Sequence, residues 1–177
     1  MGRYLALLVI FGVCLSKLSA EELAGSRLCQ TDAENNLVIL SVVHQSFGKI
    51  ETSGTLYRHL ENRLQNWGCS VIKKAVMHPE ADGRYFHEFA ADSADFLIHV
   101  YIDGQPARCN REQKSASARS FVSVYSMPSG NLLWQRIIDR QFAQSAKSLE
   151  DALRKAYENS HLPIDQELNS VFTNDSW

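Results

Sequence analysis

Leu37-Val38-Ile39-Leu40-Ser41-Val42-Val43 decides the fold. Seven residues, six of them apolar and most β-branched, are too few for a buried helix and lack the alternation of a strand wetted on one face. Such a run predicts a central strand covered on both sides. Downstream, Thr52-Ser53-Gly54 supplies capping chemistry, and Leu56, Leu60, Leu64 and Trp67 recur at helical spacing until Gly68 ends the pattern. Cys69-Ser70-Val71-Ile72-Lys73-Lys74-Ala75-Val76 then has the apolar, β-branched content of a second strand. Strand, helix and strand in that order imply a parallel pair joined by a right-handed crossover.

Further along, His78-Pro79-Glu80-Ala81-Asp82-Gly83 is turn chemistry, and Tyr85, Phe86, Phe89 and Ala90 predict a short helix. Phe96 to Ile102 alternates as a third strand, with Phe96, Ile98, Val100 and Ile102 on one face and His99 on the other. Asp103 to Ser120 has little apolar material and reads as a loop or an irregular strand extension. Phe121-Val122-Ser123-Val124-Tyr125 and Leu132 to Ile138 flank Met127-Pro128-Ser129-Gly130-Asn131, which predicts a β-hairpin. Ser148 opens a helix carrying Leu149, Ala152, Leu153, Ala156 and Tyr157, and Pro163 is expected to start a separate short helix bearing Ile164, Leu168, Val171 and Phe172. The expected architecture is α/β: a single mixed sheet in the order βαβαβββα plus a short C-terminal helix, with the helices packed on the sheet.

Upstream of the first strand, Arg3 precedes the apolar run Tyr4 to Leu15, and small residues reach Ala20. That layout predicts a cleaved signal peptide over 1–20, an N-terminal extension over 21–35 and one domain over 36–177. A spanning helix needs about 20 apolar residues, and Lys17 interrupts this run, so no membrane anchor is expected after cleavage. Cys14 follows Val13 instead of a small residue and is read as part of the leader, not as a lipid-attachment site. The remaining 157 residues carry 16 basic against 20 acidic side chains, a balance that gives no global basis for binding nucleic acid.

Several of these features resemble a broad superfamily of bacterial envelope proteins. The resemblance lies in the apolar first strand, the helix ending in Trp67-Gly68, the second strand at Val71, the step Ala94-Asp95 into the third strand, and the turn Met127-Pro128-Ser129-Gly130-Asn131 leading to Leu132-Leu133-Trp134. Its members include the amino-terminal domain of the Tol system propeller protein, the periplasmic domain of the curli secretion channel, lipoprotein activators of penicillin-binding proteins and auxiliary lipoproteins of lipid-transport systems. The resemblance spans roughly residues 36 to 160. It implies a periplasmic, non-enzymatic accessory or adaptor protein whose partner is another envelope protein or complex. Secretion is the alternative location, and a small-ligand or glycan-binding domain is the alternative function.

The residues agree with a binding role. No Gly-x-Ser-x-Gly elbow, phosphate-cradling Gly-rich loop or cofactor motif occurs in the chain. His78, Glu80, His87 and Glu88 are the densest candidate metal ligands, but adjacent His87 and Glu88 point in different directions, and solvated loop residues are the simpler reading. Arg108, Arg111, Lys114 and Arg119, with Glu112 as the only acid among them, form the one local charge signal. They are candidates to grip an acidic protein surface, an anionic glycan or a lipid phosphate, with a solvated loop as the competing reading. Cys29, Cys69 and Cys109 survive export into an oxidising compartment. Parallel strands start at the same edge of a sheet, and Cys69 begins the second strand while Cys29 lies just ahead of the first. A Cys29–Cys69 disulfide is therefore expected, with Cys29–Cys109 next and three separate buried thiols as the other option.

Overall fold

A computed structural model describes residues 36–77, 93–107 and 113–173. Six strands form one mixed sheet: β1 (Asn36–Ser46), β2 (Lys49–Thr52), β3 (Cys69–Ala75), β4 (Phe96–Pro106), β5 (Lys114–Ser126) and β6 (Leu132–Ser145). The helices are α1 (Gly54–Asn66) and α2 (Leu149–Thr173). The apolar run takes the central place expected of it. β1 pairs in parallel with β3 on one side and β4 on the other, and Val38, Ile39, Leu40, Val42 and Val43 are fully buried. β4, β5 and β6 follow as antiparallel neighbours.

Both helices lie on the same face of the sheet. Leu56, Leu60 and Leu64 of α1, and Ala152, Leu153, Ala156, Ile164 and Leu168 of α2, share one core with Val38, Leu40 and Val42 of β1, Ile98, Val100 and Ile102 of β4, and Ala116, Ala118, Val122 and Val124 of β5. The alternating residues Ile39 and Leu97 point the other way, into a smaller cluster with Ala75, Met77 and Ala94. Alternation along each strand thus divides the apolar residues between two faces, and among the described residues the helices α1 and α2 cover one of them.

The Ala94-Asp95 step acts as a stitch. The Asp95 carboxylate accepts the Leu37 N–H at 2.7 Å, the Asp95 N–H donates to the Leu37 carbonyl, and the Asp95 carbonyl accepts the Met127 N–H. One residue therefore joins the starts of β1 and β4 to the β5–β6 turn.

Three expectations need correction. Over 103–120 the loop reading gives way to its alternative, a strand extension: β4 continues to Pro106 and β5 begins at Lys114. Its helix-facing positions are Ala116, Ala118 and Ser120, all fully buried, and their small side chains make a buried strand look like a polar loop. Small residues suit a close approach of α2, which presents the equally buried Ala152, Ala156 and Ser160 at helical spacing. Gly104 belongs to the same fit, since a Cβ there would stand 2.1 Å from the Tyr157 hydroxyl.

Secondly, α2 is one helix of 25 residues that runs through Pro163. Proline removes one intrahelical hydrogen bond, yet Ile164, Leu168, Val171 and Phe172 beyond it are buried in the same core as Ala152 and Ala156 before it. Packing on both sides holds the axis. Thirdly, a β1–β2 hairpin precedes α1, so the observed order differs from βαβαβββα. The short helix expected around Tyr85 to Ala90 lies outside the described residues. Among the described residues, no helix is long and apolar enough to cross a membrane.

Candidate partner-binding cleft

β2 and β3 occupy one side of β1 end to end, β3 against Asn36–Ser41 and β2 against Val43–Ser46. α1 and the C-terminal half of α2 run side by side. Asp165 accepts from Arg63 at 2.9 Å and lies 3.3 Å from His59, while Trp67 stacks on Phe172 at 5.2 Å and takes the Arg63 guanidinium over its ring. The N-terminal half of α2 reaches past the start of α1, leaving an open cleft of about 780 Å³. Its floor is the β1–β2 hairpin with His44, Phe47, Lys49 and Glu51, its long wall is α2 from Ser148 to His161, and Ser53 and Thr55 close one end.

Most charged groups on the wall are tied to one another. Asp151 accepts from Ser145 at 2.6 Å and from Arg154 at 2.7 Å, and Lys155 lies 3.2 Å away. The Ser145 hydroxyl and then the Arg154 guanidinium hold its carboxyl well below the usual carboxylate range. Arg154 also binds Glu158, and both acidic partners raise its own pKa. His44 is 3.4 Å from Glu51 and packs its ring against Tyr157 at 4.7 Å. The Tyr157 hydroxyl donates to the Gln45 carbonyl at 3.1 Å, and burial pushes its pKa up. Burial, and next the neighbouring His59, lower the pKa of His161. These are positioning contacts; the wall groups hold the cleft's shape instead of pairing a nucleophile with a base.

At the rim stands Phe47, 65% exposed. With φ of 49° it occupies the left-handed region, followed by Gly48 at 76°. Two successive positive φ values make the tight hairpin turn that matches strand twist and favours Asn-Gly. An aromatic residue in the first position costs about 1–2 kcal/mol. The sequence carried a signal for this turn, a lone Gly48 closing an apolar strand, but Phe is the wrong residue for the usual pattern, and the hairpin was not expected.

His99 is the other singular group. It is 5% exposed on the face of the sheet opposite α1 and α2, with Nδ1 3.1 Å from the Ser41 hydroxyl. That hydroxyl also accepts the Met77 N–H at 3.1 Å. Burial lowers the His99 pKa to about 4, and Nε2 is buried with no partner among the described residues. His99 is thus a buried histidine hydrogen-bonded within the sheet.

The expected site residues are dispersed. Lys114 and Arg119 lie within β5, five positions apart and so on opposite faces of the sheet; Arg119 is exposed on the face opposite α1 and α2, across from Asp103. Arg108 and Arg111 lie outside the described residues. Cys69 is 2% exposed and disulfide-bonded, whereas Cys29 and Cys109, its two candidate partners, are outside the described residues. His78, Glu80, His87 and Glu88 are also outside them, and among the described residues no cluster of three potential metal ligands occurs.

No family model matches the sequence, and no curated protein matches it. Solved structures of similar outline are bacterial proteins, envelope lipoproteins among them. A putative neuraminyllactose-binding hemagglutinin homolog from Helicobacter pylori is 14% identical, with 78% of this chain and 88% of that chain covered and a TM-score of 0.47. Lipoprotein GNA1162 from Neisseria meningitidis is 14% identical, with 76% and 99% covered and a TM-score of 0.40. The LpoB C-terminal domain from Salmonella enterica is 12% identical, with 61% and 84% covered and a TM-score of 0.37. At these scores no residue or role carries across from any of them.

Proposed function

We propose that this chain is a non-enzymatic accessory protein of the bacterial envelope, exported through a cleaved leader over 1–20, that binds another envelope protein at the rim of the cleft. Phe47 carries the reading. An exposed aromatic ring held at positive φ works against folding twice, through backbone strain and through apolar surface left in water. It is a natural anchor for a partner, because aromatic side chains bring a large contact area with little side-chain entropy. The internally paired charges of the wall favour recognition over turnover. Of the expected basic set, Arg119 is exposed on another face and serves in this reading as a secondary contact. Cys29 is the proposed disulfide partner of Cys69.

The test separates recognition from folding. Phe47→Asn places in the turn the residue that prefers its conformation, so the variant should unfold at the same or higher temperature than the parent. Site-specific photocrosslinking from Thr55 in native cells should give a discrete protein adduct with the parent chain and lose it with the variant. An adduct undiminished in Phe47→Asn would overturn the proposal. The cleft volume of about 780 Å³ also suits a small ligand or glycan; saturable calorimetric binding of soluble envelope glycans, unaffected by Phe47→Asn, would favour that second reading.

A further inference from the structure

β6 is the outer strand of the sheet and, among the described residues, pairs only with β5. It is 14 residues long, and three of the molecule's exposed large apolar side chains lie on it: Leu132 at 51%, Ile137 at 59% and Phe142 at 66%. Its register assigns a face to each side chain. Ile137 stands opposite Phe121, Gln135 opposite Ser123, Phe142 opposite Ser117 and Gln144 opposite Ser115, all on the face away from α1 and α2. Arg136, Ile138, Gln141 and Ala143 stand opposite Val122, Ser120, Ala118 and Ala116, on the helix side.

Between Ile138 and Gln141 the strand carries one extra residue, for Ala118 pairs with Gln141 while Ser120 pairs with Ile138. Asp139 and Arg140 together span the position of Arg119. The alternation changes phase at this bulge, so the pattern of faces reads the same in either direction from the midpoint of Asp139 and Arg140. Odd-numbered residues face away from the helices before it, and even-numbered residues do so after it.

We infer that β6 pairs antiparallel with β6 of a second copy, about a two-fold axis through that midpoint. In such a pair each residue meets one on the same face. Ile137 meets Phe142 of the second copy, Gln135 meets Gln144, Ile138 meets Gln141 and Arg136 meets Ala143. Asp139 meets Arg140. Symmetry repeats every contact, so the two large exposed apolar side chains cover each other twice and two opposite-charge pairs form at the centre. An axis through Arg136 would instead oppose like charges. One through Ile137 would keep the faces matched only as far as the bulge.

A bulge and charges usually blunt an edge against pairing. Here they select: a regular strand cannot follow the change of phase, whereas a strand with the same bulge can. The partner that fits this edge is therefore another copy of the chain, and the product is a continuous sheet across both.

The experiment measures mass by sedimentation velocity on the purified, exported protein from micromolar to millimolar concentration. The parent should reach a dimer. Asp139→Arg and Arg140→Asp should each weaken it about tenfold or more, since two attractive cross-strand pairs become repulsive. The double variant Asp139→Arg/Arg140→Asp should restore it, because the pairs re-form with their charges exchanged. Circular dichroism checks that every variant remains folded, and both changes are at exposed positions. A parent that stays monomeric throughout, or a dimer indifferent to the single reversals, would overturn the inference. So would failure of the double variant to recover.

Discussion

Acid should weaken this fold through His99, and the amount can be worked out. The group is buried, neutral and, among the described residues, without a partner at Nε2, and its pKa falls from 6.5 to about 4 on folding. A base with a depressed folded pKa stabilises the native state fully above its unfolded value. That contribution is lost as pH falls from 6.5 through about 4, because the unfolded chain takes up the proton first. At about 1.4 kcal/mol per tenfold change in proton affinity, the loss is about 2 kcal/mol at pH 5 and about 3 kcal/mol once pH is below both values. His99→Asn keeps a polar atom facing Ser41 but cannot ionise. Urea denaturation of parent and variant at pH 7 and pH 5 isolates the effect, since all other titrating groups are common to both. The variant should be the less stable protein at pH 7, from the space it leaves, yet should lose about 2 kcal/mol less than the parent between the two pH values. Equal losses would refute the assignment of a buried neutral imidazole.

Two further outcomes follow from the packing and the cysteines. Gly104→Ala should cost about 2–3 kcal/mol by overpacking, read as a fall in thermal midpoint, because its Cβ would meet the Tyr157 ring and hydroxyl; in a Tyr157→Ala background the same change should cost far less. Cys69 should be found linked to Cys29 in non-reducing peptide maps, and reduction should lower stability by about 2–4 kcal/mol; a map joining Cys69 to Cys109 would refute the pairing.

Local patterns were legible where one residue type signalled both conformation and burial. The leucines of α1, with Gly68 at a φ of 81° closing the helix, and the β-branched run of β1 are of this kind. The long β5 was hidden because its buried positions are alanine and serine, whose transfer energies are too small to mark a buried face. Pro163 was read as a helix start because its local cost is large; nothing in its neighbours states that the segments on either side pack on one core. The significance of Phe47 lies in a backbone angle that no residue pattern states, and the proximity of Arg119 to Lys114 in sequence does not say which face each takes.

The sequence by itself determined the class of fold: one central parallel strand, a crossover helix, a terminal hairpin and no motif for catalysis. Those properties follow from hydrophobic period and turn chemistry, which act over a few residues. Only the tertiary structure decided that both helices share one face, that small residues carry α2 over β5, that the cleft opens beside a strained Phe47, and that a bulge makes β6 match itself. Each of these depends on contacts between residues far apart in the chain. Burial and register are collective properties of the packed sheet, so no local stretch of sequence can state them.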